Sequence, residues 1–357
     1  MEKVVVGMSG GVDSAVAAYL LKKAGYEVIG VTLRTWQAQD GSEGRCCDID
    51  DARSVAGHIG IRYLPVNATF DFQRCVVDPF AQAYRQGKTP NPCVECNRYV
   101  KWEKLLTYAK VVDAKYIATG HYANVIRLEN GRYTVKTAAH AEKDQTYMLY
   151  KLTQEQLAAT LMPLGGLSKD EVRRIAQEAG LPVAAKPDSQ EVCFVTDGSY
   201  ADFIEQSAQG GTLGAGNFVD AAGNVLGQHK GIVHYTVGQR KGLGIALGHP
   251  VYVNEIRAEH NEVVLGEESA LYHREIRCGD VNFMSIAGLA PGEELPCFVK
   301  IRYQHRAQAA TISPAENGGV KVVFDAPVRA AAPGQSAVFY DEAGQVVGGG
   351  IIETVPV

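Results

Sequence analysis

The sequence predicts an α/β protein: an N-terminal doubly wound parallel sheet, then a small β-rich central domain, then a C-terminal antiparallel β-barrel. Three observations carry that expectation. Up to Val66, short β-branched runs alternate with stretches of helical periodicity. Near Thr196 the helical periodicity gives way to glycine-punctuated short strands. From about Tyr272, alternating strands such as Phe298 to Tyr303, Val320 to Phe324 and Ala337 to Tyr340 recur between Pro-Gly turns. The expected division is 1–196, 197–270 and 271–357.

Taken in order, Val4-Val5-Val6 reads as a buried parallel strand and Ala15 to Gly25 as a helix. Glu27 to Leu33 reads as a second strand, Ala52 to Ile59 as a helix and Tyr63 to Val66 as a third strand. In such a sheet a ligand lies beyond the carboxyl ends of the strands, so Leu33 is expected to border it. Lys115 to Ala118 is a further strand, delivering Thr119-Gly120-His121-Tyr122 to that edge, with Gly120 permitting close backbone approach to a nucleotide. Val125 to Thr137 reads as a polar hairpin around Asn130-Gly131. Glu142 to Gln145 is expected to open a helix through Leu152, with Asp144 as a candidate cap. Ser168 to Gly180 is strongly amphipathic and ends in glycine, and Cys193 falls in a strand-like run. The loop Tyr235 to Gly244 is basic and expected to lie outside the core.

Between the first strand and helix stands Gly7-Met8-Ser9-Gly10-Gly11-Val12-Asp13-Ser14. Helix-initial N–H groups and the positive end of the helix dipole favour an anion there. Gly10 and Gly11 let the backbone approach phosphate oxygens, and Ser9 and Ser14 add hydroxyl donors. The spacing matches neither G-x-x-x-x-G-K-[ST] nor G-x-G-x-x-G.

Composition narrows the field less. The 357 residues exceed a single typical domain and are 46% hydrophobic, enough for several cores. No apolar run approaches the roughly 18 residues of a membrane span, and the chain opens on a strand rather than a signal peptide, so a cytoplasmic enzyme without a membrane partner is expected. A net charge of −5 requires any nucleic acid to be met by local basic patches. In a reducing compartment the clustered thiols among the eight cysteines are expected to be catalytic or metal-binding, and the isolated ones packed. Adjacent Cys46 and Cys47 make a poor chelate. Cys93 and Cys96 follow Thr89-Pro90-Asn91-Pro92 at or just before a helix N-terminus, a position that lowers thiol pKa.

Ser9 to Ser14 resembles the PP-loop of ATP pyrophosphatases, which split ATP between its α and β phosphates; Asp13 then fits as a carboxylate near Mg²⁺-pyrophosphate. With Thr89 to Pro92, Cys96-Asn97, Thr119 to Tyr122, Lys143-Asp144-Gln145, Asp188 to Phe194 and Tyr235 to Arg240 added, the chain resembles the tRNA-specific 2-thiouridylases, the MnmA family, over essentially its whole length. That resemblance implies ATP-dependent adenylation of the wobble uridine C2 oxygen, then sulfur transfer. It makes Cys96 the nucleophile and Cys193 the carrier of a persulfide delivered by a relay protein, the two coming close enough to form a disulfide. It implies nucleotide contacts along Gly7 to Ser14, and tRNA contacts at Asn91, Lys143, Asp144, Gln145, Arg302, Tyr303 and the central domain. Charge adds Arg98, Lys101, Arg240 and Lys241.

Many members of the family carry aspartate where this chain has Cys93. Three thiols, Cys93, Cys96 and Cys193, resemble the ligands of thiolation enzymes that hold a [4Fe–4S] cluster, so a cluster mechanism stays open beside the persulfide one. Two further rivals are a different PP-loop ligase, of the lysidine or GMP synthetase type, and a non-catalytic RNA-binding protein with zinc on Cys46, Cys47, Cys93 and Cys96.

Overall fold

The structure is a computed structural model that describes residues 1–37, 47–187, 192–195, 198–207 and 214–356. Cys46 and the Asp188 to Glu191 part of the motif before Cys193 lie outside the described residues.

The N-terminal strands are β1 (Lys3–Gly7), β2 (Glu27–Arg34), β3 (Arg62–Asn67), β4 (Tyr116–Ala118), a hairpin of β5 (Asn124–Arg127) and β6 (Tyr133–Lys136), and β7 (Thr160–Leu161). The five non-hairpin strands form one parallel sheet in the order β3-β2-β1-β4-β7. Successive valines of β1 serve opposite faces. Val4 and Val6 pack with the helices α1 (Val12–Lys23) and α2 (Ile49–Ile59), while Val5 packs with Ile29, Val31 and the helix Trp102–Val111. Each fully buried valine contributes about 1.5–3 kcal/mol. The sheet is thus covered on both sides, as expected.

Two boundaries move toward the N-terminus. α2 begins at Ile49 because the Asp48 carboxylate accepts from Asp51 N at 3.0 Å. α1 begins at Val12 with Gly11 as its cap, so Asp13 and Ser14 occupy its first turn. The helix expected from Glu142 through Leu152 is instead a pair of 3₁₀ turns, Ala141–Lys143 and Thr146–Met148. Asp144 between them is buried and accepts from Ala138 N (3.0 Å) and the Thr146 hydroxyl (2.6 Å), local bonds that hold the backbone out of a continuous helix.

The central strands are β8 (Gly216–Val219), β9 (Val225–His229), β10 (Tyr252–Arg257) and β11 (Glu262–Gly266), ordered β10-β11-β8-β9. The Tyr235 to Gly244 loop is part of this core rather than outside it. Tyr235, Val237 and Leu243 are buried, and Gly238 N and Gln239 O bond to Val253.

The C-terminal strands are β12 (Tyr272–Phe283), β13 (Leu295–Lys300), β14 (Gln308–Pro314), β15 (Val320–Arg329), β16 (Ser336–Tyr340) and β17 (Val346–Thr354). They close an antiparallel six-stranded barrel, β12-β15-β14-β13-β16-β17. β13 stops at Lys300, and the chain turns at 301–305 because it leaves the barrel there to meet the other domains. Arg302 Nη2 donates to Val237 O and Ala330 O, both at 2.9 Å. The polar hairpin seats the barrel: Arg132 donates to Met284 O and Phe283 O, and Thr134 Oγ1 to Val346 O. Met284, Val338, Tyr340 and Val346 join the core on the β5–β6 side of the sheet.

Candidate active site

Strand β1 ends at Gly7 and the loop to α1 folds back on itself. Ser14 Oγ accepts from Ser9 N and donates to Gly11 O, each at 3.1 Å, and lies 3.2 Å from Ser9 Oγ. Met8 N bonds Val31 O and Thr32 Oγ1 donates to Met8 O, tying the loop to β2. Gly10 has φ +78°, and a Cβ there would sit 2.5 Å from Asp48 O. Asp48 N in turn bonds Ser9 O, while the Asp48 side chain pairs with Lys186 (2.7 Å), which also reaches Asp51 (2.5 Å). Desolvation pushes the Asp48 carboxyl up, but the Lys186 ammonium and the hydrogen bonds from Asp51 together hold it below its ordinary range. The Asp13 carboxylate receives Lys169 Nζ on both oxygens, at 2.7 and 2.9 Å, and the Tyr122 hydroxyl at 2.7 Å.

The turn after β4 is the keystone. A Cβ on Gly120 would lie 2.7 Å from both Asp13 C and Ser14 N, so the close approach that requires glycine here is to the loop's own backbone. His121 stacks on Trp102 with ring centroids 5.5 Å apart, and its Nδ1 lies 2.9 Å from Thr119 Oγ1. Burial, reinforced by Lys101, pushes its pKa down to about 3, so the ring is neutral at physiological pH. Tyr122 N donates to Gln145 Oε1 and Gln145 N to Tyr122 O. From the next turn, Met148 O accepts from Asn97, the residue after Cys96. A chain of contacts therefore runs from the phosphate-type loop to the thiol helix.

That helix is one continuous run from Pro92 to Val111, α-helical over Pro92–Glu95, π-helical over Cys96–Lys101 and α-helical again from Trp102. Asn91 caps it, accepting from Cys93 N at 3.1 Å. Cys93 is exposed in the first turn and Cys96 is buried one turn in. For Cys93 the expected lowering of pKa is not found. Protein walls desolvate the thiol on its inner side and raise its pKa against the pull of Lys101. Cys193 stands in a turn (Val195 N to Val192 O) rather than in a strand. It is carried there by Phe194, which inserts among Phe72, Phe80 and Phe203 at 5.2–5.6 Å. Cys96 and Cys193 pack in this same cluster, and both are free thiols. Among the described residues no three cysteine, histidine or acidic side chains are grouped to hold a metal, so Cys93, Cys96 and Cys193 as placed do not form a cluster site. Cys47, one member of the zinc set considered above, is buried against Thr35.

The remaining sequence-predicted residues scatter more widely. Leu33 is half-buried near the carboxyl end of β2. Lys143 and Gln145 are half-buried beside buried Asp144. Tyr303 stacks toward Tyr147 at 6.2 Å with Lys300 Nζ 5.9 Å above its ring, and burial, with Asp144 and Cys93 as negative neighbours, raises its pKa. Arg302 is spent on domain contacts. Arg240 and Lys241 are exposed in the central domain, and Arg240 lines a cavity of about 400 Å³ with Leu243, Ile245 and His249. Sequence reasoning missed Lys169, Lys186 and Lys151. The last is 6% exposed and bridges Glu95 (2.6 Å), inside the Cys93–Cys96 turn, to Asp280 (2.5 Å) of the barrel. Nothing local distinguishes these lysines from surface ones. The barrel also grips the approach to the thiols, with Thr89 N bonded to Pro333 O and Gln335 Nε2 to Thr89 O.

Three consecutive family models match: "tRNA methyl transferase HUP domain" over residues 2–197, "tRNA methyl transferase PRC-barrel domain" over 201–267 and "Aminomethyltransferase beta-barrel domain" over 273–352. The tRNA-specific 2-thiouridylase MnmA of Lachnoclostridium phytofermentans is 53% identical over 359 aligned residues, covering 99% of each chain. That of Acetivibrio thermocellus is 52% identical, again covering 99% of each. Among solved structures, the U34-tRNA thiolase NcsA from Methanococcus maripaludis with its [4Fe-4S] cluster is 21% identical at a TM-score of 0.36, covering 54% of this chain and 61% of that one. With half its length matched by the first family model and its whole length by such relatives, the chain belongs to the tRNA-specific 2-thiouridylase family, MnmA.

Proposed function

We infer that the chain is an ATP-dependent tRNA 2-thiouridylase that works by adenylation followed by persulfide transfer. The observation that carries this reading is the Thr119 to Tyr122 turn. It touches the Ser9–Ser14 loop through Gly120 and Tyr122, and the helix of Cys96 through His121 and Trp102, so an activation site and a thiol site share one wall.

ATP binds with its phosphates at the Ser9–Ser14 loop. Asp13, two-thirds buried and already oriented by Tyr122, is the residue to hold Mg²⁺, whose chemistry is to neutralise charge on the pyrophosphate leaving group. The uridine C2 oxygen attacks the α-phosphorus, the bond to the bridging oxygen breaks, and pyrophosphate departs. The terminal sulfur of a Cys193 persulfide, loaded by a donor protein, then forms a bond to C2 and AMP leaves with the former C2 oxygen. Cys96 thiolate attacks Cys193 Sγ, the sulfur–sulfur bond to the product breaks, and C2 keeps its sulfur. The Cys96–Cys193 disulfide left behind is reduced by a dithiol, as the cytoplasm supplies. The target base must leave its stack to reach this wall. Asn91, Lys143, Gln145 and Tyr303 are proposed to receive the tRNA, buried Asp144 to hold the turn between Lys143 and Gln145, and Arg240 and Lys241 to meet the tRNA backbone.

The test is an anaerobic reaction with tRNA, ATP, Mg²⁺ and either a persulfide donor or free sulfide, using Cys96→Ser and Cys193→Ser separately. Pyrophosphate release with loss of 2-thiouridine is expected in both variants, and loss of AMP release in Cys193→Ser. Undiminished 2-thiouridine in both would sink the Cys96–Cys193 persulfide route, and no 2-thiouridine from the wild-type chain under any of these conditions would return it to the other PP-loop ligases. Product only from sulfide and iron-loaded protein would replace the persulfide route with the cluster route.

A further inference from the structure

We propose that Lys169 is a nucleotide-contacting residue of this site, supplying to the phosphates the cation that the Ser9–Ser14 loop itself lacks. The inference rests on the reading of that loop as an ATP site. The loop motif contains one charged residue, Asp13, and that residue is an anion. A polyphosphate brought against it meets hydroxyls, N–H groups and a like charge. The cation comes from about 155 residues further along the chain. Lys169 Nζ sits 2.7 and 2.9 Å from the two Asp13 oxygens, and its side chain is only 12% exposed.

Its location argues against a role confined to its own helix. Lys169 is the first residue of Lys169–Glu178, directly after the Ser168–Glu171 capping box. A positive charge there opposes the helix dipole, which favours acidic residues in the first turn. Asp13 holds the matching place in the first turn of α1, and the two helices pack on one another. Two helix N-termini, a carboxylate and an ammonium therefore converge at the point where the loop presents its donors. A phosphate oxygen held by those donors lies within reach of the ammonium that already touches Asp13. A lysine suits this task because its three donors form a compact charge that follows a phosphate without a fixed plane.

The competing account is that Lys169 only neutralises Asp13. A double-variant comparison separates the two. ATP affinity is measured by calorimetry with EDTA present, so that metal binding at Asp13 is silent, for the full chain, Asp13→Asn, and Asp13→Asn with Lys169→Met; adenosine is the phosphate-free control. With Asp13 already neutral, the added Lys169→Met is expected to weaken ATP by about ten- to a hundredfold, the loss of a charge-assisted hydrogen bond, and adenosine by less than about twofold. The same ATP affinity with and without Lys169 in the Asp13→Asn background overturns the proposal. Should the double variant fail to fold, acylation of the wild-type lysines decides instead. Protection of Lys169 by ATP but not by adenosine supports the contact, and equal acylation refutes it. Failure of the wild-type chain to bind ATP at all, with Mg²⁺ present, would instead overturn the nucleotide reading.

Discussion

Replacing Gly120 with alanine tests the shared wall with the smallest available change. The added Cβ would stand 2.7 Å from Asp13 C and Ser14 N and 3.0 Å from Asp13 O, against an ordinary contact of 3.4 Å or more. Backbone, not a flexible side chain, occupies the space, so loop and strand end must separate by about 0.7 Å. Overpacking of this kind costs about 1–3 kcal/mol of stability, which a chain of this size survives. Catalysis is less tolerant. A displacement approaching 1 Å costs on the order of 10²-fold where reacting groups are held by position. AMP release from ATP in the presence of tRNA and a persulfide donor, measured beside a thermal melt, is therefore expected to fall about a hundredfold in a folded protein. Wild-type turnover in Gly120→Ala would refute the reasoning, because it would mean that the loop's position against β4 does not matter.

Other perturbations have equally definite outcomes. Lys151→Met leaves Glu95 and Asp280 facing each other without their cation. Discounted because Asp280 is 65% exposed, the expected loss is about 2–4 kcal/mol, read as a lower denaturant midpoint, and an unchanged midpoint would contradict it. His121 has a folded pKa of about 3 against an ordinary 6.5, so the unfolded chain binds more protons between those values. Stability is therefore lost as pH falls through that window and is untouched by this group above it. His121→Gln should flatten that stretch of a pH–stability curve, and an identical curve would count against a neutral buried ring. Native-state alkylation followed by mass spectrometry should label exposed Cys93 before Cys47, Cys278 and Cys297, which are buried; burial pushes the last up to about 12. Early labelling of any of the three would contradict that packing.

Much of the fold was legible because it rests on local patterns. The β-branched runs of β1 and β2 and the glycine turn after β1 announce a parallel sheet from residues adjacent in sequence, and the alternation of β13, β15 and β16 announces the barrel. Expectation and structure part where side-chain bonding and burial override backbone preference. Asp144 abandons an N-cap role because Ala138 N and Thr146 offer it buried bonds. The loop from Tyr235, polar by composition, is drawn into a core by three of its residues. Arg302 alternates like a strand residue but serves carbonyls of two other segments. The thiols were visible as residue types, while the lysines that fix their surroundings were not. Lys151 and Lys169 acquire meaning only through Glu95, Asp280 and Asp13, none of them nearer in sequence than 56 residues.

The π-helical stretch Cys96–Lys101 has a consequence for how this helix can vary. A π turn holds one more residue than the α turn it replaces, its bonds reaching i→i+5, and so turns everything before it relative to everything after. At 3.6 residues per turn that phase change is about 100°. Trp102 and Leu105 face the sheet while Cys96 faces the Phe194 cluster, and one surplus residue is what allows both. A second π stretch, Gln73–Val77, packs against the first and supplies Val76 and Val77 to the same cluster. Deleting a single residue between Cys96 and Lys101 would yield a more regular helix and would swing Cys96 about a quarter turn away from the Phe194 cluster. In this segment, length is under tighter constraint than composition.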